Sequence, residues 1–137
     1  MRTPGETARR WLAQAENELN VTRSLTESGF WSGACFHAEQ TARLALKAFL
    51  YLSGRRFINL HSIRALVQEC GKEDAQFLAH EGSGLILDRY YLATRYPDVL
   101  PPPALPFESF TQQDARQAWD FAEAIFSLAK QQIENAP

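Results

Sequence analysis

The densest apolar pattern in the chain runs from Trp31 to Leu52, WSGACFHAEQTARLALKAFLYL. It contains no Pro, its only Gly lies in the first turn, and the strong helix formers Ala, Leu, Lys, Glu, Gln and Arg dominate it. At helical spacing Ala34, Ala38, Thr41, Ala45, Ala48 and Leu52 make one small-residue face. Cys35, Ala42, Leu46 and Phe49 make a second, which Phe36, Leu44 and Tyr51 widen. Polar groups keep only a narrow stripe, Glu39, Arg43 and Lys47, with Gln40 beside it. Glu39 precedes Arg43 in the favourable i,i+4 order. The simplest expectation for this stripe is a solvated line of charge; the alternative is a groove shared with Arg95, with Lys47 on a phosphate. A helix apolar over most of its circumference belongs in the middle of a protein. The pattern therefore predicts other helices packed around this one.

The flanking sequence supplies them. Residues 6–28 predict a first helix with Ala8, Trp11, Leu12, Ala15, Leu19, Thr22 and Leu25 inward. Arg9, Arg10, Glu16, Glu18 and Arg23 face outward, and Ser28-Gly29 closes the helix with a glycine cap. The link to the central helix is so short that the two form an antiparallel hairpin. The central helix closes at Ser53-Gly54. A short third helix starts at Ser62, a plausible N-cap, and ends at Cys70-Gly71. A fourth is predicted from Lys72–Asp74 to Thr94 or Arg95, because Pro97 forces Tyr96 out of the α region. Gly82 and Gly84 call for a kink, a break or a close helix contact within it. Five prolines between 97 and 107 give an extended connector, partly polyproline II. Thr111 then opens the last helix in a capping box closed by Asp114. Its core face is Ala115, Ala118, Ala122, Ile125, Ala129 and Ile133, with Trp119 and Phe126 beside it. There is no internal repeat and no alternating pattern of strand length. The fold class is all-α: four substantial helices and one short one, in a single domain over residues 1–137.

At 137 residues the chain buries about two-thirds of its unfolded surface and needs no metal or disulfide for stability. A net charge of −2 excludes a broad electrostatic footprint for nucleic acid and leaves room for a local basic pocket. Cys35 and Cys70 form no C-x-x-C motif and lie near no His pair, so they read as reduced thiols of a cytosolic protein. The N-terminus lacks the apolar core of a signal peptide. Arg43 and Lys47 interrupt the one run that approaches membrane length. The expectation is a soluble cytoplasmic protein with no membrane contact. Metal sites, a nucleophile elbow and a phosphate loop are missing from the motifs, and Gly82-Ser83-Gly84 lacks the strand–turn–helix setting of a Gly-rich loop. No cofactor or metal is expected.

The order of several short motifs carries more. Ala8-x-x-Trp11-Leu12-x-x-Ala15-Glu16-x-x-Leu19 opens it. Gly29-Phe30-Trp31 leads into Ala34-Cys35-Phe36-His37-Ala38-Glu39-Gln40-x-Ala42 and then Leu46-Lys47-Ala48. His61-Ser62-Ile63-x-x-Leu66 and Tyr91-x-x-Thr94-Arg95-Tyr96-Pro97-Asp98 follow. Together these resemble the HEPN family, the higher eukaryotes and prokaryotes nucleotide-binding domain, over essentially the whole chain. The resemblance implies an up-and-down four-helix bundle with one extra short helix, frequently a homodimer. It also implies a small nucleotidyltransferase partner, the two acting as a toxin–antitoxin-like unit.

Many members of that family are metal-independent ribonucleases with an Arg-x4-6-His motif near the start of a late helix, where Arg supports the phosphate and His moves a proton. Here the equivalent stretch reads TRYPD, and no His follows Arg95. Arg55 or Arg56 with His61 meets the spacing formally, but in the loop after the central helix, where His61 also serves simply to start the third helix. The departure leans the reading away from an enzyme and towards nucleotide, RNA or partner binding. Asp88, Tyr91 and Arg95 fall on one side of the fourth helix, and Tyr96 and Asp98 continue the cluster. Arg suits a phosphate and Tyr can stack a base. The same residues also suit an Asp88–Arg95 or Arg95–Asp98 ion pair that fixes the Pro turn, with Tyr91 in the core. His37 reads as a satisfied core histidine. Residues 97–110 are the best candidate for a patch that buries against another chain. Three functions follow: a binding module, a ribonuclease with a diverged site, and a structural oligomerisation partner.

Overall fold

The computed structural model describes residues 2–137. Five α-helices run in the order α1 (Pro4–Glu27), α2 (Trp31–Leu52), α3 (Ile63–Glu73), α4 (Glu81–Asp88) and α5 (Gln112–Glu134), with no strand among the described residues. They form an all-α bundle in which α1, α2, α3 and α5 are the longer members and α4 is the short extra helix.

Local chemistry sets the ends. Thr3 and Glu6 make a reciprocal capping box at α1, with Pro4 at the first helical position. The helix thus starts two residues before the predicted position. Gly29 (φ +85°) and Gly54 (φ +95°) take the left-handed backbone that closes α1 and α2. The link between them is tight, and Trp31 Nε1 donates back to the Thr26 carbonyl. Leu25 lies beside Gly33, Glu18 meets His37, and Trp11 packs on Tyr51, so α1 and α2 are antiparallel. At α5 the Thr111–Asp114 capping box forms as the sequence implies.

The small-residue pattern of α2 does what it promised. Ala34, Ala38, Ala42, Ala45 and Ala48 are all buried and let α1 and α5 close on both flanks. Leu46, Leu50, Ile63, Leu66, Phe77, Leu87 and Ile125 supply the bulk of the core. Cys35 and Cys70 are free and buried, and burial pushes the Cys35 thiol up to about 12.

The predicted fourth helix is the main correction. Residues Ala75–His80 form a 3₁₀ turn, α4 stops at Asp88, and residues 89–95 turn without a regular helix. Asp88 is drawn off to another task. Its carboxylate accepts from Ser62 Oγ (2.8 Å), Ile63 N (2.6 Å) and Arg64 N (3.3 Å), and so caps α3 from outside. Gly82 and Gly84 do not break the helix. A Cβ on Gly84 would lie 3.2 Å from the Arg64 backbone, which makes this glycine the close contact between α3 and α4. Tyr96 takes the extended conformation that Pro97 demands, and the Pro-rich connector is punctuated by 3₁₀ turns at Pro97–Val99 and Pro106–Glu108.

Candidate functional site

The polar stripe of α2 is not solvated. Glu39 is fully buried, Lys47 is 8% exposed and the Arg43 side chain 11%. The helix is hemmed in on this side by α3, α4 and the turn after α4. Burial of a charge is costly unless it is paired. Glu39 accepts from Arg43 Nη2 and from Gln40 Nε2 (2.8 Å), which divides its two oxygens between neighbours on its own helix. Desolvation still holds the Glu39 carboxyl above its usual range, against the pull of Arg43. Lys47 sits one turn further on, 8% exposed, and makes no hydrogen bond or ion pair among the described residues. Burial, and after it the charge of Arg43, lowers its affinity for a proton. The Nε of Arg43 is buried and has no partner. The stripe is therefore a desolvated cationic element with unused donors.

The turn at 89–95 closes over it. The Arg43 guanidinium lies 4.4 Å from the centre of the Tyr91 ring, and that of Arg95 lies 5.2 Å from the same ring. Arg95 also packs on Phe36 (4.2 Å) and Tyr96 (4.9 Å). Its Nε and Nη2 donate to the Tyr91 carbonyl (3.1 and 2.8 Å), which folds the side chain back on its own turn and leaves the rest of the fork to solvent. Thr94, buried beneath, fixes the turn by donating to the Tyr90 carbonyl. The result is a small patch of cation and aromatic surface, with Tyr91 and Tyr96 partly exposed.

Of the residues that the sequence singles out, the structure brings Tyr91, Arg95 and Tyr96 together, sets Lys47 one turn from Arg43 and Asp88 near enough to Glu39 for its charge to raise that carboxyl, and leaves Asp98 outside. Asp88 is engaged at α3. Asp98 is exposed in the Pro97–Val99 turn and makes no ion pair with Arg95. The ion pairs that would have fixed the Pro turn do not form, and Tyr91 is not a core residue. Arg43 and Phe36 are the additions. The signal for Arg43 lay in the narrowness of the stripe, since a charge between two apolar faces is within reach of whatever covers either.

The histidines lie elsewhere. His37 is satisfied, as expected, but half-buried and not in the core: its Nδ1 stands 2.5 Å from Glu18 Oε2 on α1, and its ring meets Phe36 edge-on. Glu18, expected outside, is mostly covered by this pair. His61 is exposed ahead of α3, and His80 ends the 3₁₀ turn before α4. Among the described residues no group of His, Cys, Asp and Glu could hold a metal ion, and no helix is long and apolar enough to cross a membrane.

Comparison with known proteins bears on the fold and the family. The crystal structure of TT1696 from Thermus thermophilus superposes with a TM-score of 0.83 at 31% identity, over 90% of this chain and 96% of that one. The crystal structure of ST0689, an archaeal HEPN homologue, gives 0.75 at 30% identity, over 97% and 99%. The protein named "Putative toxin MJ1304" from Methanocaldococcus jannaschii is 25% identical over 130 residues, 90% of this chain and 86% of its own length. Human sacsin is 29% identical over 121 residues, which is 86% of this chain and 3% of sacsin. The family model described as HEPN domain matches residues 8–132, and the chain belongs to the HEPN family.

Proposed function

We propose that this chain is a single HEPN domain that binds a nucleotide without turning it over, and that it works beside a small nucleotidyltransferase as one half of a toxin–antitoxin-like pair. The observation that carries the reading is the convergence of Arg43 and Arg95 on the Tyr91 ring, with Lys47 one turn beyond Arg43 on α2. Arg95 offers a planar donor fork to phosphate oxygens, and Lys47 adds a point charge in a desolvated setting. The exposed parts of the Tyr91 and Tyr96 rings, left uncovered by the two guanidinium groups, offer surface to a base. No histidine follows Arg95 to carry a proton. The name of the Methanocaldococcus jannaschii relative supports the toxin side of the pair. The exposed Val99, Leu105 and Phe107 of the connector support burial against another chain, in a cytoplasmic homodimer or against the partner.

The test is affinity capture of the tagged chain from its native cells, followed by intact mass. Recovery of a nucleotidyltransferase, or of a nucleotide-sized mass increment, is the expected result. A clean homodimer with neither partner nor ligand speaks against the pairing.

A second reading rests on His37. Glu18 holds its Nδ1, its ring touches Phe36, and Phe36 carries Arg95. A histidine oriented by a carboxylate, with an arginine on the far side of one aromatic ring, suits acid–base work on a phosphodiester. This reading expects RNA cleavage in chelator that Arg95→Ala and His37→Asn each abolish. Equal cleavage by parent and variants would mark a contaminant and end it.

A further inference from the structure

The other end of α2 carries a separate concentration of charge. Tyr51 lies about 12 Å along the helix from Arg43, at 1.5 Å per residue. There a cleft of about 470 Å³ opens between the start of α1 and the loop after α2, with Arg2, Arg55, Arg56, Tyr51 and Gly54 among its walls. A second hollow of about 450 Å³ shares Arg2 and adds Arg9 and Arg10. Five of the fourteen basic residues of a net-negative chain thus gather at one end.

Little at this end neutralises them. Among the described residues Glu6 is the only carboxylate lining either hollow, and one of its oxygens accepts from Thr3 N in the capping box. Arg55 reaches Glu69 at 3.3 Å, but Lys72 holds the same carboxylate at 2.6 Å. Arg2 and Arg56 have no ion pair among the described residues. Arg9 folds back over the first turn of α1, where its Nη1 would lie 3.2 Å from a Cβ on Gly5. That end of a helix already carries positive potential, so a guanidinium there opposes the dipole and is not explained by helix stability. The loop that delivers Arg55 and Arg56 is fixed by Gly54 in its left-handed conformation and by Arg55 N donating to the Leu50 carbonyl. Tyr51 is packed against Trp11 with ring centres 4.9 Å apart, which occupies its ring with a neighbour.

We infer that this cleft is a second anion site, separate from the Tyr91 region, which takes a di- or triphosphate chain and does not read a base. Three arginines around an open cleft suit several phosphate charges at once, and the ring nearest them is already engaged. Inorganic triphosphate and a nucleoside triphosphate should therefore bind here alike, whereas the Tyr91 site should favour the ligand that carries a base.

The experiment is a ¹H–¹⁵N NMR titration of the whole chain with inorganic triphosphate, ATP and adenosine at matched ionic strength. Inorganic triphosphate and ATP are expected to shift the amides of Thr7, Gly54, Arg55 and Arg56 saturably and with similar affinity, and adenosine to leave them still. Arg56→Ala, a change at an exposed residue, should weaken both by about tenfold, and Arg95→Ala should leave them unchanged. Absence of shifts at this end, shifts reproduced by chloride at equal ionic strength, or unchanged affinity in Arg55→Ala/Arg56→Ala would overturn the inference. Movement confined to residues 91–96 would overturn it while sparing the Tyr91 site; movement confined to the cleft would do the reverse.

Discussion

The guanidinium of Arg43 on α2 lies 4.4 Å from the centre of the Tyr91 ring, in the turn that follows α4. This contact joins a buried polar stripe to a partly exposed turn, which are 48 residues apart in sequence (91 minus 43). Replacing the ring by an aliphatic side chain should cost little in stability and much in binding. Tyr91→Leu is expected to lose about 0.5–1 kcal/mol by thermal melting. Loss of a stacked base should weaken nucleotide binding by about tenfold or more. Tyr91→Phe should retain both, because the contact uses the ring and not the hydroxyl.

Glu39 is the pivot of the stripe, since it is the carboxylate paired with the largely covered Arg43. Glu39→Ala leaves that cation unpaired and should destabilise the fold by about 3–5 kcal/mol. Glu39→Gln should cost less and should change the pH dependence. The folded-state carboxyl holds its proton more tightly than the unfolded one. Its stabilising contribution is thus fully present below the ordinary glutamate value and is lost as pH rises through the higher folded value. The melting temperature of the parent minus that of Glu39→Gln is expected to fall as pH rises above 4.5, read by melting curves from acid to neutral pH.

Asp88 is expected to matter for folding and not for ligands. It takes three hydrogen bonds from the first turn of α3 and its cap. Asp88→Ala should cost about 2 kcal/mol. Hydrogen exchange should quicken at the amides of Ile63 and Arg64, and nucleotide affinity per folded molecule should stay the same.

The two glycines of α4 should respond with opposite sign. A Cβ on Gly82 meets nothing within 4 Å, so Gly82→Ala should gain up to about 1 kcal/mol from helix propensity. A Cβ on Gly84 would press on the Arg64 backbone at 3.2 Å, and Gly84→Ala should destabilise despite the same propensity. Denaturant titration of the two variants reads the difference directly.

Much of the bundle was legible because its signals are local. The bounds of α2, the cap at Ser62, the glycine closures at 29 and 54 and the box at Thr111 depend only on neighbours within a turn or so. The end of α4 was not legible, because residues 89–95 have helical composition and Pro97 only sets a latest stop. Asp88 leaves the helix pattern for α3, a partner 24–26 residues upstream. The site divided in the same way. Tyr91, Arg95 and Tyr96 could be grouped by spacing along one segment. That Arg43 meets them, and that Glu39 and Lys47 are desolvated, depends on which helices cover the stripe. His37 was legible as a satisfied histidine but its partner was not, because its apolar neighbours in sequence conceal the Glu18 carboxylate on α1.

The most direct measurement of the central claim is nucleotide binding by the parent and by Arg95→Ala, followed by calorimetric titration and melting in parallel. The account expects the parent to bind and to gain about 2.7 kcal/mol at a hundredfold excess of nucleotide over Kd. Arg95→Ala should melt near the parent without ligand, because its side-chain bonds are on the surface, and should lose most of the gain. A parent that neither binds nor shifts across a panel of nucleotides, or an Arg95→Ala variant that binds as well as the parent, would contradict it.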